Sequence, residues 1–247
     1  MMWRSLICFS LGAGFASAAT LSGTVVLSDS RVAAVNKQRD FSGVVISARL
    51  VKAFLPVESP VHASPPIHAS PSIHALMEQK GKMFMPHILP IAAGTTVDFP
   101  NFDPIFHSAF SSYSGQIFDV GLYPPGTSRS VRFTRSGVVR VFCNIHPTMS
   151  AIILVLDTPW FASTAKDGSF ELEVPPGDYE LNVFHERATD WQLAGLSRRI
   201  VVSEPALRVP PITVSEAGYL VAPHKNKYGR DYPPTPDDQG FYQDVRH

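Results

Sequence analysis

Cys143-Asn144-Ile145-His146-Pro147-Thr148-Met149 places a thiolate, an imidazole and a thioether at three-residue steps on one short stretch. Soft sulfur donors hold Cu(I) and imidazole suits both oxidation states of copper. One Cys, two His and a weak axial Met therefore describe a blue-copper electron-transfer centre. The stretch supplies three of those four ligands, so a second histidine has to come from elsewhere. His107 is the candidate. It lies 36 residues before Cys143, in the turn-rich segment Asn101-Phe102-Asp103-Pro104-Ile105-Phe106-His107-Ser108 that follows the apolar run Thr95 to Phe99.

Each residue also has an ordinary explanation. A buried free cysteine is often only a small hydrophobe, His146 beside Pro147 suits a plain turn, and Met149 suits a core. It is the combination, with a separate loop histidine, that argues for metal. Zinc is the weaker choice, because structural zinc sites use four Cys or His ligands. Haem is not indicated, since no Cys-x-x-Cys-His occurs.

The segment from about Met77 to Leu156 resembles a cupredoxin with the short Cys-x2-His-x2-Met ligand loop of the amicyanin type; plastocyanin-like loops are longer. Met85-Pro86-His87-Ile88-Leu89-Pro90-Ile91-Ala92-Ala93-Gly94-Thr95-Thr96-Val97-Asp98-Phe99-Pro100-Asn101 is similar to the strand, Gly turn, strand and Asn that precede the first histidine there. The likeness is greatest to bacterial cupredoxins of the methylamine-utilisation type. It implies an all-β fold, a Greek-key cupredoxin β-sandwich, with one type 1 copper held by His107, Cys143, His146 and Met149. Cupredoxins usually carry Asn after the first His and Ser or Thr after the Cys. Here the types are reversed, Ser108 and Asn144, and the amide and hydroxyl are expected still to tie the two ligand loops. The family also implies that the loop histidine exposes its edge in an apolar patch, with Pro147, Pro104, Ile105 and Phe106 as neighbours, where a redox partner protein docks.

Approaching the loop, Val139, Val141 and Cys143 share one strand face by the two-residue period, which aims the thiol at the core. No catalytic triad or acid–base pair is legible beside these ligands, and four protein donors leave no open position for a substrate. The reading is an outer-sphere electron carrier and not an enzyme. Its alternatives are a copper storage or delivery protein, and a cell-envelope binding module with a structural metal.

Residues 1–18 begin Met-Met-Trp-Arg, run through the apolar Leu6 to Phe15 and end Ala16-Ser17-Ala18, the pattern of a cleaved secretory signal. A periplasmic or secreted location is expected. No apolar run reaches the roughly 20 residues of a membrane span. Cys8 leaves with the signal, so one of the two cysteines remains and no internal disulfide can form. An exported chain with one unpaired thiol calls for an explanation, and metal ligation supplies one. Loss of Arg4 takes the 21 basic residues to 20 against 21 acidic, a net charge of about −1. Nothing in this balance suggests nucleic acid.

A second module is legible in alternation and turns. Ser169 to Val174 and Tyr179 to Phe184 read as period-2 strands joined by Pro175-Pro176-Gly177-Asp178. Such a pair needs further strands to bury its face. Leu21 to Leu27 and Ser42 to Ala48 are two more, separated by the polar stretch Ser28 to Asp40. With Gly23-Thr24-Val25, Asp167-Gly168-Ser169-Phe170 and Pro175-Pro176-Gly177-Asp178-Tyr179, these strands resemble two halves of a carboxypeptidase regulatory-like, Ig/transthyretin-like β-sandwich. The expected organisation is a signal at 1–18, a first half-sandwich at 19–50, a His/Pro connector at 51–74, the copper domain at 75–157, a second half-sandwich at 158–215 and a tail at 216–247. Insertion of this kind works because domain termini usually lie close together.

The connector repeats His-Ala-Ser-Pro around His62, His68 and His74, which reads as a duplicated surface loop more than as a metal site. Met77, Met83 and Met85 read as core fillers. His87 and His185 read as makers of surface hydrogen bonds. The tail, with Pro223, Pro233, Pro234 and Pro236, reads as extended or wrapped, and solvated more than bound to a partner.

Overall fold

The computed structural model describes residues 18–54, 73–112, 115–203, 205–219 and 224–232. Most of the expected signal (residues 1–17), the connector histidines His62 and His68, and the tail beyond Tyr232 lie outside the described residues. The described chain is all-β, with its strands arranged around two hydrophobic cores.

Around the first core, strand Ala19–Ser28 alternates buried and half-buried residues along its whole length, which sends Leu21, Val25 and Leu27 inward. It pairs antiparallel with Ser169–Val174, and in parallel with Ala206–Arg208 and Ile212–Ser215. The register sets Gly23 opposite Phe170, where a Cβ would fall 2.7 Å from the phenyl ring. Gly168 has φ +81°, and a Cβ there would meet the Val25 carbonyl oxygen at 2.0 Å. Close approach and a left-handed backbone thus explain both glycines. The facing sheet runs Phe161–Ser163, Val44–Ala53, Gly177–His185, Arg198–Val202.

The second core lies between a three-stranded sheet, Ser128–Arg132, Thr96–Pro100, His74–Leu76, and a five-stranded one. The latter runs Ile88–Ala92, Ser150–Leu156, Gly137–Phe142, His107–Ser111, Phe118–Tyr123. Phe99, Phe133, Val139, Val141 and Ile153 fill the space between them. The chain leaves the first core after Ala53 and returns at Phe161, on a strand that pairs with Val44–Ala53. Everything in the second core is therefore built from chain lying between strands of the first.

Several sequence expectations need correction. The polar stretch after Ser28 contains a short helix, Ala33–Gln38, and a second helix, Asp190–Leu196, starts at a capping box made by Thr189 and Gln192. His185 is not a surface residue. It is in phase with Tyr179, Leu181 and Val183, so it is buried, and its Nε2 meets the Glu216 carboxylate at 2.9 Å. Of the three methionines, Met77 is core. Met83 and Met85 are exposed, because in strand Met83–Met85 the two-residue period sends Phe84 inward and its neighbours out. Among the described residues no helix is long and apolar enough to cross a membrane.

Candidate metal centre

Cys143 follows strand Gly137–Phe142 directly, and the alternation that buries Val139 and Val141 buries its thiol completely. Phe142 pairs with Ser150 on the next strand, so residues 143–149 form the connecting loop. That loop is closed by its own backbone: Cys143 N–H donates to the Met149 carbonyl and Met149 N–H to the His146 carbonyl, both at 3.1 Å. His107 opens the neighbouring strand His107–Ser111, where Phe110 pairs with Phe142, and this register brings its ring to the loop.

The three side chains converge. Cys143 Sγ lies 3.6 Å from His146 Nδ1 and 3.9 Å from His107 Nδ1, and the two Nδ1 atoms are 3.1 Å apart. A point equidistant from these atoms is about 2.1 Å from each, inside the roughly 2.0–2.3 Å that imidazole nitrogen and thiolate sulfur keep from a first-row divalent ion. All three residues are buried. Met149 ends the same loop and is buried in the same core.

His107 is oriented from behind. Its Nε2 sits 2.7 Å from Asp103 Oδ2, which leaves Nδ1 to face the sulfur; a carboxylate in this position fixes the tautomer of a ligating histidine. Asp103 is itself held by the turn of the hairpin Glu78–Lys80/Met83–Met85. Gly81 and Lys82, both at positive φ, donate their N–H groups to its two oxygens at 2.6 and 2.8 Å. Burial works against the Asp103 charge, yet the His107 ring and these N–H groups hold its pKa down at about 2. Burial likewise disfavours a charged His107, but Asp103 and Cys143 outweigh it and raise its pKa. For Cys143, burial opposes ionisation, and the two histidine rings with the Ile145 and Ser108 backbones bring the thiol down to about 5. The lowered value favours the thiolate, the form that binds metal.

The tie between the ligand loops differs in detail from the expected amide–hydroxyl pair. Asn144 donates its backbone N–H to Ser108 Oγ at 2.7 Å, while its side-chain oxygen accepts from the Lys227 backbone at 3.0 Å. Sequence reasoning missed two features here. Asp103 was signalled only by its place four residues before His107. The tail is not simply solvated, since residues 224–232 lie against the loop. His146 is only 3% exposed, so its ring edge does not lie open at the surface.

No family model matches the chain, and no curated protein does. Solved structures similar to it are cupredoxins over part of its length. The purple cupredoxin of Nitrosopumilus maritimus is 22% identical, with 34% of this chain and 100% of that one covered, at a TM-score of 0.31. Amicyanin of Paracoccus versutus is 17% identical, with 36% and 86% covered, at 0.32. The copper-containing nitrite reductase of Thermus scotoductus is 27% identical at 0.33; the match takes in 40% of this chain and a quarter (25%) of the reductase. The buried His107, Cys143 and His146 cluster fits a copper site on its own donor chemistry, two imidazoles and one soft thiolate.

Proposed function

We propose that this chain is an exported electron carrier in which His107, Cys143 and His146 would hold one copper ion, with the Met149 thioether as a further weak ligand. The donor triangle carries this reading: three buried side chains, already aimed at a common point, of the types that suit both oxidation states of copper. Bound there, copper supplies a one-electron couple between Cu(II) and Cu(I).

The part of the protein is to keep the donors still and dry. Asp103 fixes the His107 ring, Ser108 ties the first ligand strand to Asn144, and the loop backbone bonds to itself. The apolar residues around Cys143 limit water access, which controls the potential of such sites. Four protein donors leave no open position for a substrate, so the reading is a carrier and not an enzyme. Phe102 and Phe106, 59% and 49% exposed on the His107 loop, give a redox partner protein an apolar surface near the site. With net charge near zero, long-range steering of that partner is weak. The pattern of residues 1–18 supports a periplasmic or secreted location.

Voltammetry of the copper-loaded protein tests this function. A reversible one-electron wave is expected; a colourless Cu(I) protein with no such wave would instead be a storage or delivery protein.

A further inference from the structure

Residues 224–232 come back to the metal centre from the far end of the chain. Asn226 folds them into a compact turn. Its side-chain oxygen accepts from the backbone N–H groups of Tyr228 and Arg230 at 2.9 and 3.1 Å, and its carbonyl accepts from Gly229 at 2.9 Å. From this turn three residues reach the ligand loop. The Tyr232 hydroxyl donates to the Cys143 carbonyl at 2.9 Å and lies 3.1 Å from His224 Nδ1. His224 donates from Nε2 to the Pro147 carbonyl at 2.8 Å, and its ring stacks on Phe142 with centroids 4.0 Å apart and planes at 28°. The Lys227 backbone N–H holds the Asn144 side chain, and its ammonium reaches Asp119 at 2.8 Å on strand Phe118–Tyr123.

We propose that His224, Lys227 and Tyr232 form a strap that positions the ligand loop and keeps water from His146. The contacts fall on Phe142, Cys143, Asn144 and Pro147, on both sides of that histidine. Loops at the end of a sheet belong to the parts of a protein that open most easily. The strap supplies side-chain donors to the carbonyls of Cys143 and Pro147, and buried backbone groups need such partners. Their hydrogen bonds to the loop fall on the Cys143 and Pro147 carbonyls and the Asn144 side chain, so they act by positioning the loop. Its redox consequence rests on the proposed copper site: water stabilises the more highly charged oxidised state, so a strap that excludes water raises the potential.

The test uses the full chain carrying Cys8→Ser, in which Cys143 is the remaining thiol. In the copper-free protein, the rate of iodoacetamide alkylation reads opening of the loop without reference to copper. Ending the chain after Tyr219 removes the strap, keeps every residue named in the two cores, and is expected to speed alkylation about tenfold or more. Tyr232→Phe keeps the ring, removes one hydrogen bond and is expected to speed it about fivefold. Trp191→Phe, at a ring 85% exposed on helix Asp190–Leu196, stays at the wild-type rate. With copper bound, the shortened chain is expected to show a lower potential. A wild-type alkylation rate or a wild-type potential in the shortened chain overturns the strap. Should none of the proteins take up copper, the copper site fails by itself and alkylation alone decides the strap.

Discussion

Burial and charge oppose each other at Cys143. An apolar core makes a thiol harder to ionise, yet the facing imidazoles and backbone N–H groups bring this one down to about 5, which favours the form that binds metal. The same core makes Met149 a residue with two readings, since a buried thioether at the end of the loop can be an axial donor or a filler. The spacer Pro147-Thr148 leaves little slack, and the Met149 N–H bond to the His146 carbonyl shows that the loop turns tightly back. As an axial donor, a soft thioether favours Cu(I) relative to a harder amide oxygen. Met149→Gln is therefore expected to keep copper and lower the potential. Voltammetry paired with metal analysis decides it: an unchanged potential at full occupancy makes Met149 ordinary core.

At the scale of elements, what could be read from sequence was whatever is local. Cys143, His146 and Met149 sit on one loop, and the alternation through Val139 and Val141 fixes which way the thiol points, so both follow from spacing. The paired strands Ser169–Val174 and Gly177–His185 were legible for the same reason. Asp103 was not, because its role depends on the Gly81–Lys82 turn of a different hairpin. His185 was misread although its signal was present, its odd-numbered phase with Tyr179, Leu181 and Val183 placing it inside. Helix Asp190–Leu196 had a signal too, Thr189 three residues before Gln192. Helix Ala33–Gln38 had none of that kind, being one short stretch without a side-chain cap. The strap was hidden by composition: a proline-rich polar tail looks extended, and only tertiary contact reveals what it lies on.

At the scale of the whole molecule, the two cores are joined by an ion pair, His87 Nε2 to Glu186 Oε2 at 2.7 Å. The hydrogen bond to Glu186 raises the pKa of His87 above its ordinary 6.5. Burial opposes the Glu186 charge, but His87 and Arg187 lower its pKa below 4.5. His87, with the higher value when folded, contributes fully below pH 6.5 and loses its contribution as pH rises through the raised value. Glu186, with the lower value when folded, contributes above pH 4.5 and loses its contribution on acidification. The pair therefore stabilises most between these limits. The His87 side chain is 50% exposed, and water screens such a pair to about 1 kcal/mol or less. Urea unfolding above pH 6.5 is expected to show this loss in the wild type and not in His87→Gln; parallel pH profiles would remove the pair from the account. The copper site itself is tested most directly by the visible spectrum of the copper-loaded protein beside that of Cys143→Ser. An intense thiolate-to-copper charge-transfer band is predicted for the wild type and its loss for the variant, because an alcohol cannot supply that soft ligand at neutral pH. A copper-loaded wild type without the band, or a serine variant that stays blue, would contradict the assignment.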